Sequence, residues 1–156
     1  KNTLAFLFIL LSAALPLRSA NTEWHFHPVA STNILPTNEV RKLYQDSDGF
    51  IWISTNSGLV RYDGYTYLSF RYRGSERMLS GMCSALCEDN RQRLWVGTNN
   101  GLFVLDKRKG TVTKIGFPTL CYSRIEALVT DQNDNLYIAT NTGLYIHNTR
   151  TDSTVN

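Results

Sequence analysis

Leu94-Trp95-Val96-Gly97-Thr98-Asn99-Asn100-Gly101-Leu102 is written three times in this chain. The earlier copy is Ile51-Trp52-Ile53-Ser54-Thr55-Asn56-Ser57-Gly58-Leu59, and the later one is Leu136-Tyr137-Ile138-Ala139-Thr140-Asn141-Thr142-Gly143-Leu144. Trp52, Trp95 and Tyr137 stand 43 and 42 residues apart, and each follows an aspartate (Asp46, Asp89, Asp131) by six positions. Thr55, Thr98 and Thr140, then Gly58, Gly101 and Gly143, keep the same spacing. A fixed period of this length is the signature of a repeat architecture, in which one supersecondary unit is copied and stacked.

Each copy reads as four short strands. In the first, residues 40–45 form a strand, Asp46-Ser47-Asp48-Gly49 a turn, 50–54 an apolar strand and Thr55-Asn56-Ser57-Gly58 a second turn. Residues 59–62 are the third strand, Asp63-Gly64 the next turn, and Tyr65 to Tyr72 the fourth strand. Gly, Asn and Asp mark these turns because they accept positive φ or bond their own backbone. Four antiparallel strands per repeat is the content of a propeller blade. The second strand is apolar at successive positions, so both its faces must be covered, as they are when sheets stack on either side. The expected fold is therefore all-β: a partial β-propeller with blades at 40–73, 82–117 and 123–156, the last incomplete, its fourth strand barely begun. The aromatics at 52, 95 and 137 are expected to pack between blades, and the three aspartates to accept backbone N–H bonds in their turns.

The first twenty residues read differently. Leu4 to Leu15 is apolar except for Ser12, with Lys1 before it and Pro16-Leu17-Arg18-Ser19-Ala20 after it. Twelve residues fall short of the ~20 that cross a bilayer but suit the apolar region of a secretory signal. Residues 1–20 are expected to be a signal peptide and the chain to be exported. Lys1 and Arg18 leave with it, so 14 basic residues face 13 acidic ones. With no Lys/Arg cluster on any one element, this balance offers no footprint for nucleic acid. Residues 21–39 form a lead-in, in which Glu23-Trp24-His25-Phe26-His27 alternates like a strand separated from its blade. Cys83 and Cys87 fall on one face of one strand, roughly 13 Å apart and beyond disulfide reach. They read as buried thiols, with a cross-link from Cys121 as the alternative.

The residues offer little chemistry. His25 and His27 lack a third ligand at metal spacing, so no metal and no cofactor is expected. Glu23, Glu39, Glu76, Glu88 and Glu126 are scattered, whereas glycoside cleavage needs two carboxylates across one cleft. Tyr65, Tyr67 and Tyr72 on the outer strand read as packing and solvent-facing residues ahead of a sugar-stacking platform. No nucleophile-elbow, phosphate-loop or metal motif is present. The residues singled out are structural: Asp46, Trp52, Thr55, Gly58 and their counterparts in the other two copies.

Residues 43–64 (LYQDSDGFIWISTNSGLVRYDG) resemble the two-component regulator propeller repeat, and 35–40 (LPTNEV) is similar to the lead-in that often precedes its first copy. The resemblance weakens in the third copy, where Tyr137, Ala139 and Ile146-His147-Asn148 replace the usual residues. It implies the exported sensor region of a hybrid histidine kinase that controls polysaccharide use. The implied receptor has two seven-bladed propellers, a small β-sandwich, a membrane helix, and kinase and receiver domains facing the cytoplasm. It further implies an oligosaccharide ligand, a homodimeric receptor at the inner membrane, and signalling by displacement of the paired exported domains. On this reading the chain is an N-terminal fragment that contributes blades to the rest of its own sensor domain. No phosphoacceptor or ligand-binding residue carries over, and His25, His27 and His147 lack a phosphoacceptor helix. The competing expectation is an exported propeller enzyme or carbohydrate-binding protein without a kinase.

Overall fold

The structure is a computed structural model that describes residues 25, 35–70, 72–73, 76–77, 79, 81–116 and 123–155. The expected signal peptide, the expected strand at 23–27 apart from His25, and Cys121 lie outside these residues.

Three four-stranded antiparallel sheets follow one another along the chain. The first contains β1 (Val40–Gln45), β2 (Ile51–Thr55), β3 (Gly58–Tyr62) and β4 (Tyr67–Ser69). A two-stranded ribbon, β5 (Tyr72–Arg73) and β6 (Glu76–Arg77), comes next. The second sheet contains β7 (Cys83–Glu88), β8 (Arg93–Thr98), β9 (Gly101–Asp106) and β10 (Thr111–Lys114). The third contains β11 (Ile125–Thr130), β12 (Asn135–Thr140), β13 (Gly143–Asn148) and β14 (Ser153–Val155). Strand order is sequential in each sheet, and no helix is present among the described residues.

The sheets stack face to face, with β7 lying against both β1 and β11. First strands are thus the closest approach, and the sheets fan outward from them. Between the first and second sheets, Trp52, Leu59, Phe70, Leu79, Cys83, Leu94, Val96 and Leu105 form one core. Between the second and third, Ala85, Cys87, Trp95, Leu102, Ile125, Leu128, Leu136, Ile138 and Tyr145 form another. Strand β8 supplies both cores, Leu94 and Val96 to one side and Trp95 to the other, which is why its apolar residues run without alternation. Trp52 and Trp95 each face the following sheet. Tyr137 faces the open side of the third sheet, where Val129, Leu144 and Val155 are more than half exposed.

Three features differ from the sequence expectation. Cys83 and Cys87 do not share a face, because a bulge between Cys83 and Ala85 shifts the register with β8 by one residue. Cys83 therefore joins the first core and Cys87 the second. The same bulge recurs at Val40/Lys42 and at Ile125/Ala127, as expected where a strand must bend to re-aim its side chains. The fourth strand of the first sheet spans Tyr67–Ser69 only, which places Tyr65 in the turn and Tyr72 in the ribbon. The third sheet does have its fourth strand: Ser153–Val155 pairs with Ile146–Asn148.

Candidate functional site

The aspartate and the aromatic six residues later are one hydrogen-bonded unit. Asp46 Oδ1 accepts the backbone N–H of Asp48 (3.1 Å) and Phe50 (2.9 Å), which closes the β1–β2 turn. Its Oδ2 accepts the indole N–H of Trp52 at 2.7 Å. Asp89 does the same with Arg91 N (2.9 Å), Arg93 N (3.0 Å) and the Trp95 indole (2.8 Å). Asp131 takes Asn133 N (2.8 Å), Asn135 N (2.9 Å), the Asn135 amide (2.9 Å) and the Tyr137 hydroxyl (3.3 Å). A buried indole N–H needs an acceptor, and the turn aspartate supplies it while ordering its own loop.

The threonine and glycine form a second unit at the opposite end. Thr55 Oγ donates to the Gly58 carbonyl (2.9 Å) and accepts the N–H of Ser57 (3.1 Å). Thr98 and Thr140 repeat both bonds with Gly101 and Asn100, and with Gly143 and Thr142. Gly58, Gly101 and Gly143 sit at φ +139°, +103° and +153°, values that side chains rarely adopt.

The two junctions between sheets use different chemistry. At the first, Lys107 Nζ reaches from the β9–β10 turn to Asp46 (3.1 Å), Asp48 (2.7 Å) and Glu88 (2.6 Å), with only 5% of its side chain exposed. Glu88 also accepts the N–H (2.7 Å) and hydroxyl (2.8 Å) of Ser47. Burial opposes the charge on Asp46, but the Trp52 indole, Lys107 and the Phe50 N–H outweigh it and hold its pKa below the ordinary value. Burial likewise opposes charge on Lys107, and its three carboxylates overcome that and raise its pKa. At the second junction Thr149 occupies the Lys107 position and Thr130 the Glu88 position. There Thr130 Oγ donates to the Glu88 carbonyl (2.9 Å), and Ser84 Oγ to the Ile125 carbonyl. The Asn90 amide donates to Asp134 (3.0 Å), and Arg93, doubly bound to Asp89, donates to the Thr149 carbonyl (3.3 Å). His147 is buried edge-on to Trp95 at 5.4 Å, and burial, ahead of the opposing pull of Asp152, lowers its pKa. At Gly97 the second and third sheets come close: a Cβ there would lie 2.5 Å from Ile125 Cγ2.

Sequence reasoning placed the aspartates, aromatics and threonines on the repeat but missed the bond from indole to carboxylate. It missed Lys107 altogether, because its Asp46 partner lies 61 residues away and no spacing announces the pair. No group of three or more His, Cys, Asp and Glu fit for a metal is found among the described residues.

Sequential four-stranded sheets, packed face to face and fanned from their first strands, are blades of a β-propeller. Two stretches are similar to a known repeat: a model of the two-component regulator propeller matches residues 34–57 and 78–100. Histidine kinase P4 of Formosa agariphila is 27% identical over 137 residues, covering 81% of this chain and 10% of the kinase. A crystal structure described as the extracellular domain of a hybrid two component system of B. thetaiotaomicron superposes with a TM-score of 0.66 at 25% identity, over 78% of this chain and 17% of that one. The chain thus spans a tenth of the kinase and under a fifth of that extracellular domain. Virginiamycin B lyase of Staphylococcus aureus (TM-score 0.61, 16% identity, 78% of this chain and 42% of the lyase) shares the fold alone.

Proposed function

We propose that this chain contributes blades to an exported sensor region in a hybrid two-component histidine kinase, and that the receptor responds to a glycan at the periplasmic face of the inner membrane. The observation that carries this reading is the repeat itself. Stretches in its first two copies match the two-component regulator propeller model, and the similar solved domain is described as the extracellular part of such a system. The described residues support a scaffold role here, since the recurring aspartates and threonines are spent on turns and on anchoring the blade aromatics. In the working receptor, a homodimer, an oligosaccharide would change the relative placement of the paired exported domains, and membrane helices would carry that displacement to the kinases.

The test is genetic. Lys107→Met and Asp46→Ala would be placed in the native gene, and genome-wide transcription followed after adding a panel of polysaccharides. Loss of induction, with the protein still exported at normal level, supports a sensor whose blades must stay locked. A gene whose reading frame holds no kinase, or induction indifferent to both variants, would sink it. No observation on the described residues favours the enzyme reading.

A further inference from the structure

The turns β7–β8 and β9–β10 meet at one end of the second sheet, where Arg93 and Asp106 are direct partners across strands. Between them lies a cleft of about 300 Å³ lined by Arg91, Gln92, Arg93, Asp106, Arg108 and Lys109. Sequence reading saw no basic cluster on any one element. The fold makes one by bringing two turns together, so that four cations and one carboxylate line the cleft, with Lys109 3.7 Å from Asp106 and Arg93 paired to Asp89 behind it. Asp106 is occupied as a turn builder: its Oδ1 accepts the N–H of Arg108 and of Lys109, both at 3.0 Å.

We propose that this cleft binds a sulfate or phosphate monoester, a tetrahedral oxyanion carried on a small molecule. Two guanidinium groups are already positioned. Arg93 is clamped by Asp89 at 2.8 Å, and Arg108 donates to the Gln92 side-chain oxygen at 3.2 Å. The Arg91 guanidinium has no hydrogen-bonding or ionic partner among the described residues. Planar guanidinium forks match the oxygens of such an anion in pairs, and the volume sits at the lower end of ligand pockets.

The repeat provides an internal control. The five cleft positions that carry Arg91, Gln92, Arg93, Arg108 and Lys109 hold Asp48, Gly49, Phe50, Tyr65 and Thr66 in the first blade. In the third blade they hold Asn133, Asp134, Asn135, Arg150 and Thr151, and Arg150 is paired with Asp134 at 3.0 Å. The turn geometry recurs without the cluster of cations, so building a blade does not require it. Gln92 moreover sits at φ +60°, where the first blade uses glycine and the third aspartate, residues better suited to that conformation. A less suited residue is kept where its side chain holds Arg108.

The proposal does not depend on the receptor reading. The full chain, labelled with ¹⁵N, would be titrated at low ionic strength with inorganic sulfate, inorganic phosphate, glucose 6-sulfate, glucose 6-phosphate and glucose, following arginine Nε–H resonances. Saturable shifts at Arg91, Arg93 and Arg108 are expected, with millimolar dissociation for the inorganic ions. One ester should bind about tenfold tighter, since added contacts raise affinity roughly tenfold per 1.4 kcal/mol, and which one names the source of the oxyanion. Glucose should shift nothing. Arg91→Ala with Arg108→Ala should weaken binding about tenfold or more, the scale of lost charge-assisted bonds, and Arg150→Ala should leave it unchanged. Shifts that never saturate, or that Arg150→Ala weakens equally, would mean adventitious ions only and overturn the proposal.

Discussion

Asp46 has two oxygens and four donors, and each donor does something different. Two backbone N–H groups shape the turn, one indole fixes the ring, and Lys107 ties on the next blade. Asp46→Ala strands a buried indole N–H and weakens the clamp on Lys107, so a loss of about 3 kcal/mol is expected. Trp52→Phe keeps most of the packing and removes one bond, for about 1–2 kcal/mol. Urea denaturation of the two variants should rank them in that order, and equal losses would mean that the ring, not its polar anchor, holds the blade. Cys83 and Cys87 make a second residue-scale case. Burial pushes both thiols up to about 12, and the thiolate is the reactive form. A thiol reagent at pH 8 should leave both untouched in the folded chain and modify them in denaturant. Reaction at the native rate of a free thiol would contradict their placement in the two cores.

At the scale of the strand, most of the architecture was legible, because three copies corrected one another. A single Asp-x5-Trp pair means little, but the same pair at matched intervals marks a turn and the strand that follows. What escaped was anything set by one residue or by another blade. The bulge before Ala85 adds one residue to β7 and leaves no mark in composition, yet it sends Cys83 to the opposite core from Cys87. The short β4 has a local cause: Asp63 accepts the N–H of Tyr65 (2.8 Å) and of Thr66 (2.6 Å), so the turn consumes the residues expected to open the strand. The charged cleft escaped because its two halves lie in separate turns. Gly97 belongs to this scale too. The structure identifies Ile125 as the neighbour that a methyl group at Gly97 would strike. Gly97→Ala should cost about 1–3 kcal/mol as overpacking, while Ala139→Gly, on the half-exposed third sheet, should cost under about 1 kcal/mol through backbone freedom alone. Melting temperatures decide it, and a harmless Gly97→Ala would mean the sheets can spread.

The whole molecule couples these junctions to pH. The Asp46 pKa is depressed in the folded chain, so its contribution is complete above the unfolded value of about 3.9 and is lost as pH falls below it. The Lys107 pKa is raised, so its contribution is complete below about 10.4 and is lost only as pH climbs through the higher folded value. His147 is a cation-former with a depressed pKa, and stability should fall as pH drops through about 6.5, where the unfolded chain takes up the proton more readily. Thermal melts should therefore be level from pH 7 to 9, decline below about 6.5, and decline again below about 4. His147→Gln should abolish the first decline and spare the second. A first decline that survives the substitution would assign it elsewhere. The open side of the third blade has its own consequence. Val129, Leu144 and Val155 expose 61%, 56% and 62% of their surface, and such a face favours association. Sedimentation should show concentration-dependent self-association of the chain, reduced by Val129→Lys.

The polar contacts that cross between blades connect residues 41, 42, 44, 56, 59 and 61 positions apart. Each sheet is thus completed by its immediate neighbour in the sequence, never by a distant one among the described residues. A ribosome delivering this chain would release each partner just after the surface it must cover. Vectorial assembly during synthesis can then proceed one sheet at a time, with each nascent apolar flank waiting only for the next fifty or so residues to emerge.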